Sequence, residues 1–239
     1  MGLSGVELHA LWNTVAGLLR PQPSCPACGH QSRDLLCPAC SAAAGLGRLH
    51  PVAPGVVPAA DRAWYLADYR TPQARLTPVA TLVLRFKYRR DRLAGHAIAR
   101  LVARGASLLP ARYDVVTAVP LHKRRLLERG YNQAAWLARA AARPLRARVR
   151  PALLRRTRSG RAQVGSSRSE RRRNATGSFA CTSADLGGAR VLLVDDVLTT
   201  GATLTAAAAA LRICGAGRVD ALTVCAVTSH RSGPLPGDA

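Results

Sequence analysis

The stretch VLLVDDVLTTGAT, residues 191–203, decides the fold class of this chain. Four consecutive apolar residues, 191–194, are typical of a strand buried on both faces of a parallel sheet. Two carboxylates, Asp195 and Asp196, follow where such a strand is expected to end, and an alanine-rich helix over 204–213 comes shortly after. Ligands of open α/β sheets bind at the carboxyl ends of the strands. The stretch therefore predicts an α/β protein whose functional site lies at these two acids.

The loop between the acids and the helix has the composition of an anion-binding turn. It consists of Thr199, Thr200, Gly201, Ala202 and Thr203. A loop that opens a helix presents unpaired backbone N–H groups and the positive end of the helix dipole, which favours a phosphate. Its glycine allows a tight turn and a close approach to the anion. Because paired carboxylates can accept hydrogen bonds from vicinal hydroxyls, the pattern predicts a phosphorylated sugar. The alternative is an ordinary strand–turn–helix with a polar turn.

The same stretch resembles the phosphoribosyl-pyrophosphate (PRPP) signature of type I phosphoribosyltransferases. The resemblance implies that Asp195 and Asp196 bind the ribose 2′- and 3′-hydroxyls, and that residues 199–203 bind the 5′-phosphate. It also implies that Mg²⁺ accompanies PRPP. An enzyme of this kind displaces pyrophosphate from the anomeric carbon through an oxocarbenium-like state, without a protein nucleophile.

Four cysteines in CPACGHQSRDLLCPAC, near the amino terminus, have the spacing of a closed metal site. Each C-x2-C half is a short turn that aims two thiolates at one point, and four thiolates complete a tetrahedral shell. We therefore expect Cys25, Cys28, Cys37 and Cys40 to bind a structural Zn²⁺. Redox dithiols or disulfides are the alternative, and a chain without an export signal disfavours them.

A second buried strand is predicted from Tyr113 to Pro120, followed by a basic turn. We expect this strand to run parallel to the one at 191–194, so the turn at its carboxyl end would face the same crevice. In phosphoribosyltransferases the corresponding loop holds the pyrophosphate, and the resemblance implies this role for Lys123, Arg124 and Arg125. The alternative is the solvated, basic start of a helix.

The strongest concentration of charge lies between Arg143 and Arg173. Its middle is polar and contains glycine and serine, so we expect a flexible loop beside the crevice, and such loops are candidate lids. The resemblance implies a loop that closes over PRPP. The expected contributors are Arg155, Arg158, Gln163 and Arg171. A disordered basic loop without this role is the alternative.

The remaining sequence predicts a small appendage on one main α/β domain. Helical spacing of apolar residues predicts an amphipathic helix over 1–22, which packs on the main domain or docks on a membrane or partner. The cysteine segment covers 23–42, an Ala/Gly/Pro-rich linker 43–60, the main domain 61–231 and a tail 232–239. No run of eighteen or more apolar residues occurs and the amino terminus lacks a basic leader, so we expect neither a transmembrane segment nor a signal peptide.

The chain has 35 lysines and arginines against 13 acids, a formal net charge of +22. Such an excess is the electrostatic footprint of a nucleic-acid binder, and it would also attract the polyanion PRPP. The alternative is a coding bias. Lys87 and Lys123 are the only lysines and alanine is abundant, which is typical of a GC-rich genome.

Three further stretches, LRFKYRRD, VPLHKRRLLERGYNQAAWLA and LRRTRSGRAQVGSSRSERRRNATGSF, follow the four cysteines in this order. With the signature they resemble the ComF family, phosphoribosyltransferase-like proteins associated with bacterial competence and DNA uptake. The resemblance covers most of the chain. It implies a cytoplasmic protein that binds PRPP or a related phosphorylated ribose. It leaves open whether the protein is an enzyme that transfers phosphoribosyl to an unknown acceptor, because the motifs do not declare a reaction. The implied partner is single-stranded DNA or a DNA-uptake helicase.

Two other classes of function remain open at this point. One is a non-catalytic protein of the DNA-uptake machinery that binds a nucleotide or single-stranded DNA. Single-strand binders combine a basic channel with stacking aromatics, whereas aromatic residues make up only 4% of this chain. Binding of this kind would therefore depend on phosphate contacts. The other class is a PRPP-sensing regulator, although no helix-turn-helix is evident.

Overall fold

A computed structural model describes residues 23–157 and 178–227 of the chain. The expected helix over 1–22, much of the expected basic loop and the tail over 232–239 lie outside these residues. Within the described part, no helix has both the length and the apolar character needed to cross a bilayer.

A six-stranded, mostly parallel sheet forms the centre of the protein and confirms the predicted fold class. In chain order the strands are β1 (His50–Pro51), β2 (Arg62–Asp68), β3 (Val115–Ala118), β4 (Arg148–Val149), β5 (Leu154–Arg156), β6 (Phe179–Cys181), β7 (Arg190–Leu198) and β8 (Arg218–Ala226). The order in the sheet is β1-β2-β8-β7-β3-β4, and only β1 runs antiparallel to its neighbour. Strands β5 and β6 form a separate antiparallel pair.

Helices cover both faces of this sheet. They are α1 (Pro38–Ala43), α2 (Pro78–Tyr88), α3 (Arg92–Ala106), α4 (Lys123–Arg129), α5 (Gln133–Leu145) and α6 (Ala202–Ile213). Side chains alternate along β7, so each face has its own core. Leu192 and Val194 pack with α2, α3, α5 and the cysteine segment. Val191 and Leu193 pack with α6 and the β5–β6 pair. All four are fully buried, as predicted for a strand covered on both faces.

The connections place a crevice between β3 and β7. From β3 the chain passes through α4 and α5 to β4 at one edge of the sheet, whereas from β7 it passes through α6 to β8 in the other direction. The strand order therefore reverses between β3 and β7. An open α/β sheet binds ligands at such a point, outside the carboxyl ends of its strands.

Strand β7 is longer than the sequence predicted. The strand was expected to end at Val194, but it continues through both acids to Leu198 because β8 provides a pairing partner as far as Ala226. On the other side β3 ends opposite Val194. Asp195 and Asp196 therefore lie in a strand that is paired on one side and open to the crevice on the other.

The segment 43–60, expected as a linker, packs against the sheet. Within it β1 pairs with β2, and the His50 ring is buried and stacks on Tyr65 with the ring centroids 5.0 Å apart. The Nε2 atom of His50 lies 2.9 Å from the carbonyl oxygen of Gly45. Val57 is buried in the core below α6. The segment is therefore an ordered part of the fold, since its apolar side chains and an edge strand find partners there.

Helix α2 is fixed to the sheet at its first residue. The hydroxyl of Thr77 accepts a hydrogen bond from the N–H of Ala80 at 3.2 Å and donates to the carbonyl of Asp68 at 2.6 Å. Thr77 thus caps the helix and ties its start to the end of β2. This anchoring sets the course of the helix, and with it the position of Lys87 near the other end.

Candidate functional site

A cavity of about 320 Å³, which we call the acid cavity, opens at the carboxyl ends of β3 and β7. Both acids of β7 line it, together with side chains from α2, α4, β5 and the loop that opens α6. Four cations are part of this lining: Lys87, Arg125, Arg129 and Arg156. The cavity thus combines a pair of carboxylates with an excess of positive charge, which suits a ligand that has both hydroxyls and phosphates.

Asp196 forms a close ion pair with Lys87. The Nζ atom of Lys87 lies 2.6 Å from Oδ1 of Asp196, and the side chains are only 17% and 13% exposed. Lys87 is in the last turn of α2, on the sheet face that also contains Leu192 and Val194. Because both partners are largely shielded from water, this pair is electrostatically stronger than a surface salt bridge.

Asp195 belongs to the opposite face of the sheet, because successive side chains of a strand alternate. Lys87 and, on that side of the sheet, the guanidinium of Arg156 are the favourable charges that act on it, and this guanidinium lies 4.7 Å from the centroid of the Phe179 ring. Burial and the adjacent charge of Asp196 raise the pKa of Asp195 to about 7, although the N–H of Asp196 donates to its Oδ1 at 2.9 Å. Asp195 therefore exchanges its proton near neutral pH.

The loop over 199–203 contributes to the cavity at its two ends. Thr199 and Thr203 line the cavity, whereas Thr200, Gly201 and Ala202 form the turn into α6. Gly201 has a φ of +80°, and a Cβ there would collide with the carbonyl oxygen of Val56. The sequence predicted a glycine for close approach to an anion. In the structure the close approach is to the 43–60 segment.

The three residues predicted for pyrophosphate are placed differently from one another. Lys123, Arg124 and Arg125 begin α4, so the predicted basic turn is a helix start. Only Arg125 lines the acid cavity. Lys123 is exposed, and the Arg124 side chain is 85% exposed and paired with Glu128 of the same helix at 2.9 Å.

Of the four residues predicted for the flexible loop, the structure describes only Arg155. Its side chain is exposed on β5 and does not line the acid cavity. The neighbouring Arg156 does line it. Arg158, Gln163 and Arg171 lie outside the described residues.

Sequence reasoning did not select Lys87, Arg129 or Arg156 as site residues. Lys87 is more than one hundred positions from its partner Asp196, and nothing in its local pattern distinguishes it from the arginines around it. One signal was available for Lys87: it is one of only two lysines in a chain that otherwise uses arginine.

The four cysteines near the amino terminus converge on one point. Their Sγ atoms all lie within 4.8 Å of one another, and those of Cys28 and Cys37 are 3.6 Å apart. Tetrahedral Zn–S bonds of about 2.3 Å require sulfur–sulfur distances of about 3.8 Å. The cluster therefore has the dimensions and the closed ligand set of a structural metal site that could bind zinc.

The protonation of the cluster also fits a cation. Burial raises the pKa of Cys25, but hydrogen bonds from the backbone N–H groups of Cys37, Cys28 and Ala27 outweigh it and lower the pKa to about 6. Burial and the neighbouring thiols raise the pKa of Cys40. Four thiolates in so small a volume repel one another, and a bound divalent cation would compensate their charge.

The cysteine cluster is connected to the acid cavity through α2. Nη1 of Arg85 donates a hydrogen bond of 2.6 Å to the carbonyl of Pro26, which lies between the first two cysteines. The same guanidinium pairs with Asp91, at the cap of α3, at 2.6 Å. Since Lys87 follows Arg85 by two residues, the cluster supports the helix end that carries Lys87.

Comparison with known proteins gives a consistent result. The family model of the phosphoribosyl transferase domain matches residues 132–238. The DNA utilization protein YhgH of Salmonella typhi is 31% identical over 214 residues, which are 84% of this chain and 89% of that protein. Competence protein F of Haemophilus influenzae is 33% identical over 150 residues, 59% of this chain and 64% of that protein.

A search of solved structures finds weaker similarity. An adenine phosphoribosyltransferase from Thermoanaerobacter pseudethanolicus is 20% identical, over 64% of this chain and 86% of that chain, with a TM-score of 0.36. A score this low adds nothing to the comparison of sequences.

The raised pKa of Asp195 predicts how stability depends on pH. Between about pH 4 and about pH 7 the folded protein retains a proton on Asp195 that the unfolded chain has lost, so this group makes the protein less stable as the pH rises. Asp195→Asn removes the titration and keeps Oδ1 as an acceptor. Relative to the wild type, the variant should gain on the order of 3 kcal/mol in unfolding free energy between the two pH limits.

Urea denaturation at the two pH limits measures this difference. Asp34→Asn serves as the control, because Asp34 is an exposed acid far from the acid cavity in the cysteine segment. If Asp195→Asn follows the same pH dependence as the wild type, the carboxyl of Asp195 is not perturbed.

Proposed function

Because this chain belongs to the ComF family and contains a phosphoribosyl transferase domain, we propose that its acid cavity binds PRPP or a related phosphorylated ribose. The observation that carries this proposal is the composition of the cavity: two adjacent carboxylates, the start of a helix and four cations around one volume of about 320 Å³. A phosphorylated ribose has hydroxyls that donate hydrogen bonds to the carboxylates and phosphates whose charge the cations compensate.

Each part of the cavity has a role in this proposal. Asp195 and Asp196 accept hydrogen bonds from the ribose 2′- and 3′-hydroxyls, as charged acceptors that bind more strongly than neutral ones. The loop over 199–203 and the amino terminus of α6 bind the 5′-phosphate. Arg125, with Arg129 and Lys87, compensates the pyrophosphate. Lys123 and Arg124 are left out because neither lines the cavity.

The proposed reaction is transfer of phosphoribosyl to an acceptor. Mg²⁺ bound to the phosphates of PRPP would supply further compensation of their charge, since this ion retains water and prefers phosphate ligands. The residues of the chain then position the ribose and stabilise the departing pyrophosphate. The Lys87–Asp196 pair affects ribose binding, because a ribose hydroxyl must share Asp196 with the ammonium group of Lys87 or displace that group.

We further propose that the ion of the cysteine cluster is Zn²⁺. All four ligands are cysteine sulfurs that lie within 4.8 Å of one another, and no further ligand position is open to substrate in a four-sulfur shell of zinc. The role is therefore structural. The hydrogen bond from Arg85 to Pro26 extends this role to the helix that carries Lys87.

A nucleic-acid partner is the second proposal, and a surface on the far side of the sheet favours it. Arg146, Arg148 and Arg150 are exposed around a cavity of about 460 Å³ near the amino ends of β3 and β7. None of the ion pairs recorded among the described residues involves them. Unpaired surface arginines attract a phosphate backbone, and the relatives named for DNA utilization and competence are consistent with such a partner.

Replacing one carboxylate tests the ribose-binding proposal. Asp196→Asn keeps the size of the side chain but removes the charge and substitutes a donor for one acceptor oxygen. Each charge-assisted hydrogen bond is worth about 1.5–3 kcal/mol, so affinity for PRPP should fall by about tenfold to a hundredfold. Isothermal titration calorimetry with Mg²⁺ and PRPP measures it, with Asp34→Asn as the matched control. A wild-type protein without affinity for PRPP would refute the ligand assignment.

Metal removal tests the cysteine cluster. Protein purified without chelator should contain one zinc per chain. Extraction should lower the melting temperature by about 10 °C or more, because metal binding contributes directly to folding. Cys40→Ser should lose the metal, whereas Cys181→Ser, a half-buried thiol outside the cluster, should retain it. A zinc content near zero with four free thiols would contradict the assignment.

Salt dependence tests the nucleic-acid proposal. The triple variant of Arg146, Arg148 and Arg150 to alanine should bind a fluorescent single-stranded oligonucleotide more weakly. Its plot of log affinity against log salt should be flatter by about 2, since each lost phosphate contact removes about 0.7 from the slope. The control replaces three arginines exposed elsewhere: Arg33, Arg48 and Arg75. Equal slopes for both triple variants would show that this surface is not the binding site.

A further inference from the structure

A second cavity, of about 240 Å³, adjoins the acid cavity on the side away from the two acids; we call it the arginine cavity. Four residues line both cavities: Lys87, Tyr88, Arg125 and Arg129. The arginine cavity adds Arg90 and Glu128. The two spaces are therefore continuous, and a ligand in one would lie beside a ligand in the other.

The charges of the arginine cavity are not balanced. Lys87 is paired with Asp196, and Glu128, the one acid of the lining, is paired with Arg124 outside the cavity. Among the ion pairs of the described residues, none uses the guanidinium of Arg90, Arg125 or Arg129. Three guanidinium groups around one small volume thus lack a carboxylate, and a phosphate is the anion whose geometry suits them.

The arginine cavity is held in shape by contacts between two helices. Arg90 has a positive φ of 52° directly after α2, and its Nη2 donates to the backbone carbonyl of Glu128 in α4 at 2.6 Å. The guanidinium of Arg129 donates to Oε1 of Gln133 at 3.1 Å, and Tyr131 donates to the carbonyl of Phe86 at 2.6 Å. The Arg90 and Tyr131 contacts fix the end of α2 against α4 and the turn that follows it, and the Gln133 contact orients Arg129, so the cationic groups are positioned before a ligand arrives.

The ring of Tyr88 adds an exposed aromatic surface to the cationic cavity. It is 70% exposed, an unusual state for a large aromatic side chain, and it stands where the two cavities meet. The guanidinium of Arg129 lies 5.1 Å from the ring centroid and reinforces the ring by a cation–π contact. An exposed ring beside a cationic pocket is the arrangement that binds a flat base next to its phosphate.

We infer that the arginine cavity binds the phosphate of a nucleoside monophosphate whose base stacks on Tyr88, beside the ribose phosphate of the acid cavity. The inference rests on the proposed function for its neighbour, because it makes the nucleotide the second ligand of the same site. It gives an acceptor or effector an aromatic contact beside the acid cavity. The contact of the phosphate with Arg90, the cation that lines only the arginine cavity, sets the position of the nucleotide, and stacking of the base on Tyr88 sets its chemical class.

Calorimetric titration of the full chain with adenosine 5′-monophosphate, in the presence of saturating Mg²⁺ and PRPP, tests the inference. Tyr88→Leu and Arg90→Ala should each lower the affinity for the nucleotide about tenfold, through loss of stacking and of a charge-assisted contact. Arg89→Ala is the matched control, because Arg89 is an exposed arginine between the two test positions that lines neither cavity. Arg90→Ala and Arg89→Ala should bind PRPP within about twofold of the wild type, because neither residue lines the acid cavity.

The outcomes separate this inference from the proposed function. A wild type that binds PRPP but not the nucleotide overturns the inference alone. A second result would also overturn the inference. If PRPP displaces the nucleotide, and Asp196→Asn but not Arg90→Ala lowers the affinity for the nucleotide, then the nucleotide occupies the ribose site. Equal losses of PRPP and nucleotide affinity in Arg90→Ala would assign the cavity to the pyrophosphate. Nucleotide binding that needs Tyr88 and Arg90 in a protein without PRPP affinity supports the inference and overturns the proposed function.

Discussion

The placement of two adjacent carboxylates at the open end of a central strand is the constraint on which the site depends. Water is largely excluded from Asp195 and Asp196, so their charges need compensation from protein groups or must be reduced by protonation. Both effects are present. Lys87 compensates Asp196 from one face of the sheet at 2.6 Å, and burial raises the pKa of Asp195 to about 7 on the other. A ligand whose hydroxyls donate hydrogen bonds to these two side chains would also stabilise their charges.

This electrostatic arrangement explains why distant parts of the chain are built around α2. Thr77 fixes the start of the helix to β2, and Arg85 connects its last turns to the cysteine segment. Because the helix is fixed at these two residues, it holds Lys87 against Asp196. Three of the four cysteines, Cys25, Cys37 and Cys40, belong to the same continuous core as α2. A structural metal in that cluster would therefore act on the site through packing, without touching a ligand.

Part of the large positive charge of the chain is concentrated around the two cavities. Arg125, Arg129 and Arg156 surround the two acids, and Arg90 extends the positive surface past Tyr88. With 35 basic and 13 acidic residues, most arginines have no acid available as a partner. Where several of them converge on one cavity, the local potential favours a polyanion. A coding bias towards arginine and a binding function are thus compatible, because only the convergent arginines serve the site.

The sequence alone determined the features that depend on neighbouring residues. A run of four apolar residues followed by two acids predicted the buried parallel strand and its site, and the C-x2-C pairs predicted a cluster that closes on itself. Both patterns are local, and each is compatible with one structure. Tertiary structure decided the rest. It extended β7 through the acids because β8 supplied hydrogen-bond partners, and it made Gly201 necessary through the carbonyl of Val56. It also selected Lys87 and Arg156 as the cations of the acids, since charge pairs between distant segments depend on packing, and no spacing in the sequence records which faces will meet.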